Sequence, residues 1–169
     1  HYLYHAWTDC LLSLKVAKEM PEIDSGRIAV GGGSQGGGTA MAMAALDHDI
    51  TLCLPDVPSY CWWEKRIMTR TACAAKIADY IRRQPSVLDT VLNTLSYVDV
   101  MNLADRITCP VLGSCGLIDT STPPECVYAA FNKIRAEKTI LNYPFTGHAV
   151  DAWHVEEQLR WVRQRFGLA

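Results

Sequence analysis

No apolar run in the 169-residue chain reaches the roughly 18 to 20 residues needed to cross a bilayer as a helix. Basic clusters are missing as well. Sixteen Lys and Arg stand against eighteen Asp and Glu, a net charge of −2, and the longest basic run is the Arg82-Arg83 pair. Nucleic acid and acidic membrane surfaces are therefore not expected as partners. The seven cysteines (Cys10, Cys53, Cys61, Cys73, Cys109, Cys115 and Cys126) form an odd set with no CxxC and no zinc-ligand spacing. No metal site is expected from them. Most sit among apolar neighbours, as buried reduced thiols do, which favours a reducing, cytoplasmic setting. The opening His1-Tyr2-Leu3-Tyr4-His5 lacks both Met and the charged and apolar regions of a signal peptide. Upstream sequence is expected to precede it.

What is present suits one α/β domain. Hydrophobic residues make up 49% of the chain, enough for a real core. Trp7, Leu11, Leu14 and Lys18 predict a first helix, stopped by Pro21 and Asp24-Ser25-Gly26. Apolar runs predict strands over 27–31, 50–54, 110–117 and 139–145. Helices are predicted over 39–46, 123–137 and 151–166. In the last, Val155, Leu159, Val162 and Phe166 recur at 4, 3, 4 spacing as one apolar face. Between Pro58 and Ile107 no strand is predicted, only helices over about 62–83, 85–95 and 100–105. At about fifty residues this exceeds the usual α/β connection and predicts a helical insertion over the strand ends. Strands alternating with helices imply a parallel sheet flanked by helices. No internal repeat or low-complexity linker appears.

The most informative stretch is Arg27-Ile-Ala-Val-Gly-Gly-Gly-Ser34-Gln-Gly-Gly-Gly. Gly32, Ser34 and Gly36 spell G-x-S-x-G between a predicted strand and helix, the pattern of a nucleophile elbow. So tight a turn favours flanking residues without a Cβ, which Gly32 and Gly36 supply. The same letters carry a rival. Gly31, Gly33 and Gly36 spell G-x-G-x-x-G, with Asp56 about 20 residues further on, as in a dinucleotide-binding turn. A plain glycine turn allowing close packing is the third reading. A phosphate-binding Walker loop fits poorly, since Gly38 and Thr39 follow and no lysine does.

A serine nucleophile needs a base, and the base an orienting carboxylate. In a parallel sheet both must come from C-terminal strand ends. The strand over 110–117 is followed by Ile118-Asp119, and that over 139–145 by Thr146-Gly147-His148. The order Ser34, Asp119, His148 is the α/β-hydrolase order. The dinucleotide reading explains neither later residue. Each also has a plainer role open to it: Asp119, ahead of Thr120, Ser121 and Thr122, as a turn or capping acid, and His148 as a packed loop residue. His154 is expected at the surface or just behind the site, and His48 at a solvated helix end. Asp56 is expected to cap the loop after the second strand. Tyr60, Trp62 and Trp63 read either as a sugar-stacking platform or as core.

Together with Ser96-Tyr-Val-Asp-Val-Met-Asn-Leu-Ala-Asp-Arg106, Gly116-Leu-Ile-Asp119, Thr122-Pro-Pro124 and Gly147-His148, the serine motif resembles the acetyl xylan esterase and cephalosporin C deacetylase family, the seventh carbohydrate esterase group. The resemblance runs nearly the whole length. It implies the C-terminal part of an α/β-hydrolase that deacetylates small acetylated sugars, above all xylooligosaccharides, and cephalosporins. It implies Ser34 as nucleophile, His148 as base, Asp119 as its partner, the Gln35 backbone N–H as one oxyanion donor, no metal or organic cofactor, and a homo-oligomer, hexameric in relatives. Members of the family resemble chains about twice this length. The absent portion would hold the early strands and the loop with the second oxyanion donor, beside an Arg-Gly-Gln type motif. Its loss would impair catalysis and leave the strand from Arg27 as an edge.

Overall fold

The computed structural model describes residues 2–168. Four strands, β1 (Ala29–Gly33), β2 (Leu52–Asp56), β3 (Val111–Gly116) and β4 (Lys138–Tyr143), form one wholly parallel sheet in the order β1-β2-β3-β4. Around it lie the helices α1 (Tyr2–Glu19), α2 (Gln35–Leu46), α3 (Trp63–Met68), α4 (Ala74–Arg83), α5 (Leu88–Ser96), α6 (Pro124–Phe131) and α7 (Ala152–Phe166). The central strands β2 and β3 are buried throughout, while β1 alternates between exposed and half-buried residues and β4 mixes the two. Strand β1 is bonded to β2 on one side and is a sheet edge among the described residues, as the resemblance implies.

Small side chains let α2 lie close to the sheet. Ala40, Met41, Ala42, Met43, Ala44 and Ala45 are all buried, and little side-chain bulk separates the helix from β1 and β2. At its far end Asp47 binds Lys18 of α1 at 2.7 Å, and Lys18 also reaches Asp49 at 2.9 Å. These bonds, with that to Asp47 the strongest, hold the Lys18 ammonium above its ordinary pKa.

The segment between β2 and β3 is helical, as expected, but 62–83 is not one helix. It breaks into α3 and α4 at residues 69–73, where Arg70 (φ 56°) and Ala72 (φ 47°) take the left-handed conformation and Thr69 bonds Thr71 at 2.7 Å. Hydroxyl groups that bond locally compete with the helix ladder. Asp99 then pins the start of α3. Its buried carboxylate accepts from the N–H groups of Trp62, Trp63 and Met101 at 2.8–2.9 Å. Burial raises its pKa, an effect that these three donors oppose. Tyr60 and Trp63 stack on each other within the core, buried to 6% and 5% exposure, so they form no open sugar platform.

The terminal helix departs most from the sequence reading. Its expected apolar face divides, with Val155 42% and Leu159 54% exposed and Val162 and Phe166 half-buried. His154 and Gln158 turn inward instead, because the buried Asp56 carboxylate at the end of β2 takes hydrogen bonds from both. Leaving that carboxylate unpaired inside the fold would cost more than exposing two aliphatic side chains. Among the described residues no helix is long and apolar enough to cross a membrane.

Candidate active site

Three strand ends meet over the C-terminal edge of the sheet. Ser34 follows β1 directly and precedes α2. Its backbone is strained, at φ 55° and ψ −112°, and is held by two bonds to the next strand end: Ser34 N–H donates to the Asp56 carbonyl, and Ser59 N–H donates to the Ser34 carbonyl, both at 2.8 Å. A strained conformation persists where its surroundings over-determine it. The glycines make this possible, though not quite those the motif suggests. A Cβ on Gly32 would lie 3.0 Å from the Gly36 backbone, and Cβ atoms on Gly37 and Gly38 would lie 2.6 and 2.2 Å from the Asp56 and Ser59 carbonyl oxygens. A Cβ on Gly36 would meet nothing.

The Ser34 hydroxyl lies 2.8 Å from His148 Nε2, and His148 Nδ1 lies 2.8 Å from Asp119 Oδ2. Ser34 is half-buried, Asp119 is buried and His148 rides on an exposed loop. With Nδ1–H donating to Asp119, Nε2 is free to accept the serine proton. Asp119 also accepts from Ser121 N–H (2.7 Å), Thr122 N–H (2.9 Å) and the Thr122 hydroxyl (2.7 Å). The turn-forming and His-facing readings of this aspartate thus hold together. Burial pushes its carboxyl pKa up, but the Thr122 hydroxyl and N–H, His148 and the Ser121 N–H outweigh that and hold it below its ordinary value. The group remains a carboxylate facing the imidazole.

Gln35 opens α2, where the first N–H groups of a helix have no partner inside it. Its side chain turns to the Tyr2 hydroxyl at 3.4 Å, leaving the backbone N–H beside Ser34. Ser59 Oγ, which nothing in the sequence singled out, lies 3.3 Å from Ser34 Oγ. Arg66 of α3 is also buried at 2% exposure; it donates to the Ser121 carbonyl at 3.1 Å and rests over the Trp63 ring. It thereby ties the insertion to the Asp119 turn.

Of the two places open to His154, the structure takes the one behind the site: it is fully buried and bonded to Asp56 at 2.7 Å. One expectation needs correcting. The Asp56 side chain caps no loop. It accepts from Ser114 Oγ (2.8 Å), His154 and Gln158. So engaged and 4% exposed, it is closed to a ribose hydroxyl, which removes the acid the dinucleotide reading needs. His48 is exposed, as expected. Burial pushes the Cys109, Cys115 and Cys126 thiols up to about 11, and those of Cys53 and Cys61 higher still. None of these five is a thiolate nucleophile near neutral pH. Among the described residues no group of three or more His, Cys, Asp or Glu could hold a metal ion.

Comparison with known proteins places the chain in a family. The acetyl esterase Axe7A of Xylanibacter ruminicola is 29% identical over 165 residues, which are 98% of this chain and 37% of that protein. An acetyl xylan esterase from Paenibacillus sp. R4 superposes with a TM-score of 0.93 at 33% identity, over 97% of this chain and 53% of its own. Acetyl xylan esterase 1 from Thermoanaerobacterium sp. JW/SL YS485 gives 0.86 at 32% identity, covering 94% and 51%. The chain spans about half, or less, of the length of these relatives. The acetyl xylan esterase (AXE1) family model matches residues 1–165, and the chain, an α/β-hydrolase portion, belongs to that family.

Proposed function

We propose that this chain carries the nucleophile, base and acid of a serine acetylesterase acting on small acetylated carbohydrates such as xylooligosaccharides, and on cephalosporin-type acetyl esters. The observation that carries this reading is the unbroken line of hydrogen bonds from Ser34 Oγ through His148 to Asp119, each 2.8 Å long. Family membership supports the acetyl ester as the bond that is cleaved.

Ser34 Oγ attacks the acetyl carbon as its proton passes to His148 Nε2, and Asp119 stabilises the imidazolium through Nδ1–H. The Gln35 N–H donates to the oxyanion of the tetrahedral intermediate. Collapse expels the sugar alkoxide, which leaves with the proton from Nε2, and an acetyl-Ser34 ester remains. Water then gives a proton to His148 and attacks that ester; acetic acid departs as Ser34 recovers its proton from His148, and ionises to acetate in solution. No step calls for a metal or organic cofactor.

Acetate release from p-nitrophenyl acetate and acetylated xylooligosaccharides, measured beside fluorophosphonate labelling of Ser34, tests the proposal. Ser34→Ala should abolish both. An alanine variant that keeps the parent's rate would overturn it.

A further inference from the structure

The buried His154 and Asp56 take no part in the relay, and the residues they join are telling. Tyr143 ends β4, and His154 lies in the first turn of α7. Between them runs the loop that carries His148, largely exposed, with Phe145 at 93%. The Tyr143 hydroxyl and His154 Nδ1 are 2.6 Å apart, so one hydrogen bond closes the two ends of this loop on each other. On its other side, His154 Nε2 meets Asp56 Oδ1 at 2.7 Å. With Nε2–H donating to Asp56 and Nδ1 accepting from Tyr143, every polar atom in the line is satisfied. Burial, with Asp56 and further carboxylates nearby, holds the Tyr143 phenol above its ordinary pKa, so it remains a donor. Trp153 packs edge-on against the Tyr143 ring at 4.6 Å.

Asp56 is also the residue whose backbone carbonyl accepts the Ser34 N–H, and Ser114 of β3 holds its carboxylate at 2.8 Å. A single buried residue therefore holds the elbow through its backbone carbonyl and the histidine loop through its carboxylate. We infer that Tyr143, His154 and Asp56 form a clasp that positions His148 against Ser34, with His154 and Tyr143 as positioning residues for the reaction. His148 itself is bonded to Asp119 at 2.8 Å and lies 3.3 Å from the Thr122 hydroxyl, and the loop backbone at Thr146 and Gly147 packs on Gly116, so the clasp adds to these ties by closing the ends of the 144–151 loop. The nearest main-chain tie to the Asp119 turn is Ile118 N–H to the Thr146 carbonyl at 3.3 Å. This inference rests on the proposed relay, but what it claims is a placement, which can be read without turnover.

Tyr143→Phe is the sharpest variant, since it keeps the ring packing and deletes only the clasping hydroxyl. His154→Ala removes the whole link and is the harsher one. Two readouts serve: solvent exchange of the His148 Nδ1 proton by NMR, and the rate of fluorophosphonate labelling per folded molecule. Tyr143→Phe should speed that exchange and slow labelling roughly tenfold, the scale of one buried hydrogen bond, with probe affinity unchanged. Lys18→Met, which loosens the remote α1–α2 contact, should move neither. Unchanged exchange and labelling in folded Tyr143→Phe would overturn the clasp even if His154→Ala fails to fold. A parent that resists labelling while Tyr143→Phe still quickens exchange would leave the clasp standing and defeat the esterase reading instead.

Discussion

Asp119 shows how much one side chain can be asked to do. Its Oδ1 closes a turn on the N–H groups of Ser121 and Thr122, while Oδ2 divides between the Thr122 hydroxyl and His148. The depressed carboxyl pKa fixes the sign of its pH dependence. Its contribution to stability is fully present above the unfolded value near 3.9 and is lost as pH falls through the lower folded value. Thr122→Val keeps the volume and removes one donor. It should cost about 1–3 kcal/mol at neutral pH and bring the acid-side loss to a higher pH. Urea denaturation at pH 7 and pH 3 checks this, because the gap between parent and variant should shrink on acidification; an equal gap at both would assign the cost to packing alone. The sequence made Asp119, His148 and Ser34 legible, since each stands just beyond a predicted strand. Thr122 was legible only as part of the turn after Asp119, and Ser59 not at all, because a hydroxyl's partner is decided by the fold of a loop.

Among the elements, the β1–α2 elbow was read correctly in kind and incompletely in cause. The motif makes Gly32 and Gly36 the required glycines, whereas the close approaches fall at Gly32, Gly37 and Gly38. At Gly32 the crowding comes from the Gly36 backbone, but at Gly37 and Gly38 it comes from the strand end at Asp56 and Ser59, a neighbour in space that no local pattern reveals. Gly36→Ala should therefore be accepted, and as a helical substitution should raise stability by up to about 1 kcal/mol. Gly38→Ala drives a Cβ into the Ser59 carbonyl and should cost about 3 kcal/mol or more. Thermal melts of the two variants decide the point, and equal destabilisation by both would restore the motif's reading. The terminal helix failed for a related reason. Its 3.6-residue period was real, but Asp56, about a hundred positions away, decided which face turns inward.

For the whole molecule, the question is what about half the length of its relatives can do. The hydrogen-bonded line from Ser34 to Asp119 lies wholly within the chain, whereas the oxyanion site proposed for it has one donor that the sequence supports, the Gln35 N–H. The resemblance puts the second on a loop from the portion of relatives that lies outside this chain. Loss of one such donor typically slows reaction by about 10²–10³. The chain alone should accordingly deacetylate p-nitrophenyl acetate about 10²–10³ more slowly than an intact relative such as the Paenibacillus enzyme, mainly through kcat. Its Ser34, activated by the same relay, should still depend on His148. Fusing the upstream half of a relative to His1 should recover most of the difference. Rates equal to the relative's from the chain alone would mean that a donor within these residues completes the hole, and Ser59, with its hydroxyl 3.3 Å from Ser34 Oγ, would be the group to substitute first.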